Sequence, residues 1–347
     1  MKTGKVKEIE KAKDSRSMLP FESVKRELLV KREAETNDDF GCYPEKRSVN
    51  QLIDFGVVNI DKPSGPTSHQ ISAYVQKILG IEKAGHSGTL DPKVTGVLPI
   101  ALERATRLAH LLLKSGKEYV ALMHLHDELP PEEIRKLISD FVGSIEQLPP
   151  LKSAVKRALR TRHVYYIDII ETEEKDVLFR IGCEAGTYIR KLIHDFGAKN
   201  KIGANMAELR RTKVAHFSEE NISTLQDLSD AFWYWKNNGN EKYIRKIIMP
   251  AEFIVKSIPK IYVFDTTVDT LCHGANLNVP GIASIESGIS KGNTVAVMTL
   301  KGEFICYGNA VMDSHSIMNS EKGFAVKTNK VFMQPSTYPK TNSYKHI

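Results

Sequence analysis

Two stretches in the middle of the chain, VYYIDII (residues 164–170) and VLFRIGC (residues 177–183), decide the fold class. In the second, Val177, Phe179, Ile181 and Cys183 alternate with Leu178, Arg180 and Gly182, the period of a strand with one buried face. The two read as adjacent strands. Working outward, GVVNIDKP reads as a strand ending at Pro63, and SGPTS as a turn in which Thr67 or Ser68 caps a helix. That helix, HQISAYVQKILG, carries Ile71, Val75, Ile78 and Leu79 on one face and stops at Gly80. A second helix is expected over about 101–113, a strand in YVALMHL from Tyr119, and a helix in PPEEIRKLISDFVG. A further helix, about 188–196, would be capped by Thr187 and ended by Gly197, and LQDLSDAFWYW and EKYIRKII read as helical. Mixed helices and strands with hairpin-like adjacency predict an α+β fold with a largely antiparallel sheet.

The texture changes near Ile258. Beyond it short strands (KIYVFD, TVAVMTL, EFICYGNA, GFAVKTNKVF) are separated by glycines, which predicts a small β-barrel or sandwich. The expected division is an N-terminal extension over 1–50, partly mobile or wrapped over another domain, a first domain over 51–252, a β domain over 253–335 and a loose tail over 336–347. The 347 residues are 41% hydrophobic and 26% charged, with no apolar run of bilayer-spanning length and no secretory h-region at the start, so a protein working inside the cell is expected. A net charge of +7 favours a polyanionic partner. Cys42, Cys183, Cys272 and Cys306 are far apart and the histidines have no ligand spacing, so neither a metal nor a disulfide framework is expected.

The chemistry centres on GHSGTLDPKVTG (residues 85–96), which sets Asp91 in a glycine- and threonine-rich turn. Gly85, Gly88 and Gly96 would let backbone approach a ligand, and Pro92 restricts Asp91 to an extended conformation. A carboxylate presented in this way acts as nucleophile or base; an ordinary Asp-Pro turn accounts for the dipeptide equally well. KPSGPTS (residues 62–68) is a glycine turn before a helix, suited to phosphate or simply structural, and it lacks the spacing of a nucleotide-binding loop. In GTYIRKLIHDFG (residues 186–197), Arg190 and His194 share a polar helix face, and Arg190 is a suitable partner to keep Asp91 ionised. LKSAVKRALRTRH (residues 151–163) carries Lys152, Lys156, Arg157, Arg160 and Arg162 with no acid among them, a stripe suited to RNA or DNA.

Taken together, DKPSGPTS, AGHSGTLDPKVTGVLPIALERATRL, Lys117 to Tyr119, GCEAGTYIRKLIHDFG and LRRTKVAHF occur in the order and spacing of the TruB-type pseudouridine synthases. PPLKSAVKRALRTRHVYY resembles more closely dyskerin and its archaeal relatives, the catalytic subunits of box H/ACA ribonucleoproteins; the resemblance covers about residues 50–335. It implies a pseudouridine synthase catalytic domain with a mainly antiparallel mixed sheet and a C-terminal PUA domain, an RNA-binding appendage against which the N-terminal extension packs. It implies isomerisation of uridine in rRNA, and of uridine 55 in the tRNA T loop, without any cofactor. By position Asp91 matches the essential aspartate, Tyr119 the tyrosine that packs on the target base, and Arg190 the arginine that pairs with the aspartate. Tyr188 and Leu209 match pocket-lining positions, and His86 a histidine that helps extrude the nucleotide. Lys62 joins the basic stripe as an expected RNA contact. Implied partners are an H/ACA guide RNA, the substrate RNA and the small H/ACA core proteins, with no membrane.

Two departures from the bacterial stand-alone enzymes stand out. The thumb loop between Ser153 and Val164 is short, which implies that substrate placement depends on guide RNA and partner proteins. The lysine-rich tail of eukaryotic dyskerins is missing, which points to an archaeal protein in a cytoplasmic setting. Two other readings compete: an RNA-binding scaffold with a vestigial pocket, and a glycoside hydrolase, which needs a second carboxylate, Asp195 being the nearest by motif.

Overall fold

A computed structural model describes residues 17–149 and 158–340. The stretches that open the sequence reading form an antiparallel pair, Arg160–Glu173 with Asp176–Cys183. Val177, Phe179, Ile181 and Cys183 all point into one core, where they meet Ala121 and Met123 from one side and Leu192, Ile193 and Phe196 from the other. Burying a row of such side chains, at roughly 1.5–3 kcal/mol each, is what pins the register, since a slip of one residue would expose them all.

Among the described residues this hairpin belongs to a ten-stranded sheet. From one edge it runs Ile248–Pro250, Gly56–Lys62, Thr95–Leu102, Ala204–Val214, Lys117–Leu125, Asp176–Cys183, Arg160–Glu173 and Gly143–Gln147, with Ala84–His86 and Phe217–Ser218 paired at its sides. Thr95 and Gly96 pair in parallel with Arg210 and Arg211; the other strand pairings of this sheet are antiparallel. At that parallel junction Gly96 has φ +99°, and a Cβ there would lie 2.2 Å from the Arg211 carbonyl oxygen. Gly96 therefore serves the approach of two strands, not of a ligand as its motif suggested.

The helix after the glycine turn runs Ser68–Leu79, with a capping box between Thr67 and Gln70 and Gly80 left-handed at its end. Three readings of local structure need correction. The stretch read as a helix from residue 101 begins as strand: Thr95–Leu102 continues to Leu102, a short 3-10 turn follows at Glu103–Leu108, and only Ala109–Leu113 is α-helical. The run VLPIAL is buried on both sheet faces, and such a strand has no alternation to betray it. The helix at Ile189–Lys199 starts from Tyr188, while the Thr187 hydroxyl bonds back to the Glu184 carbonyl. Gly197 lies inside that helix, where a Cβ would sit 2.2 Å from the Ala204 nitrogen, so the glycine admits the returning chain instead of ending the helix. EKYIRKII yields only the turn Ile244–Ile247 before the edge strand Ile248–Pro250.

Among the described residues seven further strands form the second sheet, in the order Leu28–Val30, Ile282–Glu286, Lys260–Val263, Thr294–Thr299, Phe304–Ala310, Phe324–Val331 and Leu277–Asn278. Its first strand comes from the N-terminal extension. A shared core seals the two sheets together, with Phe55, Val57 and Ala101 on one side and Met298, Phe304 and Phe332 on the other. Across the same seam Arg47 forks onto Glu252 at 2.9 and 2.8 Å, and Glu252 accepts the Phe304 N–H. The tail expected to be loose is anchored over 335–340: Tyr338 is buried, its hydroxyl donates to Glu303 at 2.6 Å, and the Ser336 N–H donates to Asp269. Residues 341–347 lie outside the described ones. Among the described residues no helix is long and apolar enough to cross a membrane.

Candidate active site

Asp91 stands on the loop between Ala84–His86 and Thr95–Leu102, outside any helix. Two interior props hold that loop. The Ser68 hydroxyl, at the start of its helix, accepts the Leu90 N–H at 2.8 Å. Beneath it the Lys62 side chain is fully buried, and its ammonium donates to the carbonyls of Pro63, Pro92 and Val94 at 2.8–2.9 Å. Burial pushes the Lys62 pKa down, and the neighbouring Asp91 charge opposes that shift. Lys62 was expected to touch RNA; with no exposed surface and its protons spent on carbonyls, it is a post under the Asp91 loop instead.

The loop presents Asp91 with its side chain 55% exposed, and Arg190, in the first turn of Ile189–Lys199, donates from Nη2 to Asp91 Oδ2 at 2.7 Å. The structure thus brings together two side chains that are 99 positions apart in the chain. In an open cleft such an ion pair is worth little as stability, and its consequence is orientation: one carboxylate oxygen is held and the other left free.

Tyr119 lies on the next strands inward. Register pairs it with Arg211, and Leu209 with Ala121, so Tyr119, Ala121, Leu209 and Arg211 share one sheet face. Arg211 was not singled out by the sequence reading. It is 1% exposed, donates from Nε to the Val97 carbonyl at 2.8 Å and from Nη2 to the Gly88 carbonyl at 3.3 Å, and lies against the Tyr119 phenol. Burial raises the Tyr119 pKa, with Arg211 pulling the other way, so the phenol stays protonated near neutrality. Strand period alone would have found Arg211: in LRR the first arginine faces Asp61 and Glu219, and the next must face where Leu209 does.

His86 packs edge-on against His69, ring centroids 4.8 Å apart, and burial, then His69 and Arg211, lower its pKa. Tyr188 caps the Arg190 helix and is half-buried. Arg162 donates to the Gly186 carbonyl at 3.2 Å, and Arg160 stands on the same strand, whereas Lys152, Lys156 and Arg157 lie outside the described residues. Asp195, the alternative second carboxylate, is bonded to Lys191 one turn back on its own helix. Among the described residues no group of three or more His, Cys, Asp or Glu is placed to hold a metal ion.

Comparison with known proteins assigns the class. Residues 76–132 and 126–189 match the TruB family pseudouridylate synthase N-terminal domain, and residues 190–256 the tRNA pseudouridylate synthase B C-terminal domain. Residues 259–332 match the PUA domain, and residues 17–72 the DKCLD domain. Fold and matches together define a pseudouridine synthase, an isomerase, carrying a PUA domain. The "Probable tRNA pseudouridine synthase B" of Pyrococcus furiosus is 54% identical over 327 residues, 94% of this chain and 96% of that relative. That of Methanopyrus kandleri is 51% identical over the same shares of each. Among solved structures, a Cbf5-Nop10-Gar1 complex contains a chain 54% identical, with a TM-score of 0.89 over 94% of this chain and all of that one. An H/ACA RNP bound to a substrate RNA containing 2'-deoxyuridine contains one 52% identical, with a TM-score of 0.88 over 93% of this chain and 99% of that one. The chain belongs to the TruB family of pseudouridylate synthases.

Proposed function

We propose that the chain is the catalytic subunit of an H/ACA guide-RNA complex that converts uridine to pseudouridine in rRNA, with uridine 55 of the tRNA T loop as a second target. The observation that carries the assignment of the centre is the open Asp91 carboxylate held at 2.7 Å by Arg190. Asp91 acts on the ribose-base unit as nucleophile or base while the C1'–N1 bond breaks. The uracil turns, C1' bonds to C5, and the C5 proton leaves, so that a proton at N1 completes an isomer with no group gained or lost. Tyr119 stacks on the base and relays the C5 proton, its Oη accepting that proton as its own O–H proton is passed on. Tyr188 and Leu209 line the pocket, and His86, kept neutral by its surroundings, helps hold the extruded nucleotide. Extruding the base costs a few kcal/mol, which stacking and hydrogen bonds in the pocket offset.

RNA is held by Arg160 and Arg162 with Lys152, Lys156 and Arg157, and by the PUA domain; Lys62 takes no part. Residues 1–50 act as an extension to the PUA domain at 253–335, and 51–252 as the catalytic domain. The Cbf5-Nop10-Gar1 complex and the H/ACA RNP bound to a substrate RNA, each with a chain similar to this one, support core proteins of that kind and a guide RNA as partners. Relatives from Pyrococcus and Methanopyrus support an archaeal setting, and with it the cytoplasm. Tritium release from RNA labelled at uracil C5 tests the dependence on partners. Guide-directed release requires the assembled complex, and full activity of the isolated chain on a T-arm stem-loop overturns that dependence.

A further inference from the structure

The turn that carries Tyr188 and Arg190 is gripped from outside its own helix. Gln147, the last residue of the strand Gly143–Gln147, is 2% exposed. Both ends of its amide meet one residue: Oε1 accepts the Tyr188 N–H at 2.9 Å, and Nε2 donates to the Tyr188 carbonyl at 3.1 Å. That carbonyl also accepts the Leu192 N–H at 3.0 Å and so forms the first rung of the helix Ile189–Lys199. Tyr188 makes no side-chain cap, so the Gln147 amide supplies the orientation that a capping side chain would otherwise give. The paired strand grips the same turn: Arg162 donates to the Gly186 carbonyl, and His163 and Glu184 exchange bonds through the His163 N–H and the Glu184 N–H.

We propose that Gln147 is a positioning residue for the isomerisation: by clamping the main chain of Tyr188 it sets where the Arg190 guanidinium meets Asp91. The inference rests on the reading of Asp91 and Arg190 as the reacting centre. Arg190 is a long side chain, 58% exposed, which reaches Asp91 from the second residue after the clamp. The placement of its backbone therefore governs the pair. The clamp ends the strand that runs on toward the basic stretch 151–163, and it therefore joins the hairpin beside the proposed RNA grip to the reacting centre.

The test is a double-mutant cycle in the full chain assembled with guide RNA and core proteins. Gln147→Met keeps the volume and removes both bonds; it is combined with Arg190→Ala. Single-turnover tritium release is read from saturating RNA labelled at uracil C5, together with RNA affinity and the melting temperature. A misplacement of about 1 Å predicts a rate loss of about 10- to 100-fold for Gln147→Met with RNA affinity nearly unchanged. In the Arg190→Ala background the same change should slow the reaction by less than about 3-fold, because residues acting through one another do not add. Additive losses overturn the proposal, as does a loss confined to RNA affinity or to stability. Should Gln147→Met fail to fold, Gln147→Glu, which keeps the acceptor for the Tyr188 N–H, enters the cycle under the same criteria. A slow Arg190→Ala chain beside a Gln147→Met chain of wild-type rate overturns this inference alone. An Arg190→Ala chain as fast as wild type overturns the ion-pair reading, and this inference with it.

Discussion

Lys62→Met separates a buried post from an RNA contact. The Lys62 ammonium is the donor for three carbonyls, and of these Pro92 keeps a second donor in the Gly65 N–H. Methionine therefore strands the buried Val94 carbonyl at roughly 1–3 kcal/mol, while the carbonyl of the exposed Pro63 can turn to water. Against this stands the relief of no longer burying an ammonium, which offsets part of the loss. The net expectation is a destabilisation of about 1–2 kcal/mol, a drop in melting temperature on the order of 2 °C for a chain of this size. Turnover falls as well, because the Asp91 loop loses its support. RNA binding supplies the contrast: a lysine on a phosphate contributes roughly 0.7–0.9 to the slope of log affinity against log salt. Melting curves and RNA titrations at several salt concentrations read both quantities. The structure predicts a lowered melting point with an unchanged slope; an unchanged melting point with the slope reduced by about 0.8 refutes the reasoning.

Arg190→Lys keeps the charge but loses the planar guanidinium, so single-turnover tritium release should slow by about 10-fold with RNA affinity unchanged; a wild-type rate contradicts the role of the pair. His216 packs edge-on against Phe21 of the N-terminal extension, and burial, reinforced by Lys256 and Lys260, pushes its pKa from 6.5 down to about 4. The unfolded chain takes up this proton before the folded one does, so the stability of the neutral ring is present above pH 6.5 and drains as pH falls toward 4. His216→Phe should remove up to about 3 kcal/mol of that decline, seen as a flatter melting temperature between pH 6.5 and 4; curves parallel to wild type would contradict it.

Elements governed by local rules were legible in the chain. The alternation of Val177, Phe179, Ile181 and Cys183 gave the hairpin, and Thr67, Gln70 and Gly80 bound their helix at both ends. Glycines misled where their reason is a distant chain: Gly96 and Gly197 read as a ligand loop and a helix stop, while their neighbours are Arg211 and Ala204. Lys62 failed for a related cause, since a lysine beside a glycine turn looks like a phosphate ligand until Pro92 and Val94 are seen to fold over it. Residue chemistry offered Arg190 as a suitable partner for Asp91, and the match to a family pattern fixed the pairing, because no local rule links positions so far apart. Gln147 gave no signal at all: one polar residue at a strand end is ordinary until Tyr188 arrives against both ends of its amide.

We propose Asp91 as the residue that performs the isomerisation. Asp91→Asn keeps the size of the side chain and a hydrogen-bond acceptor for Arg190, and removes the charge. Tritium release from C5-labelled RNA by the assembled wild-type and variant complexes, with RNA affinity and melting temperature measured on the same preparations, tests it most directly. Release should be abolished in the variant while binding and fold stay nearly intact; a variant that releases tritium at the wild-type rate contradicts this role of Asp91.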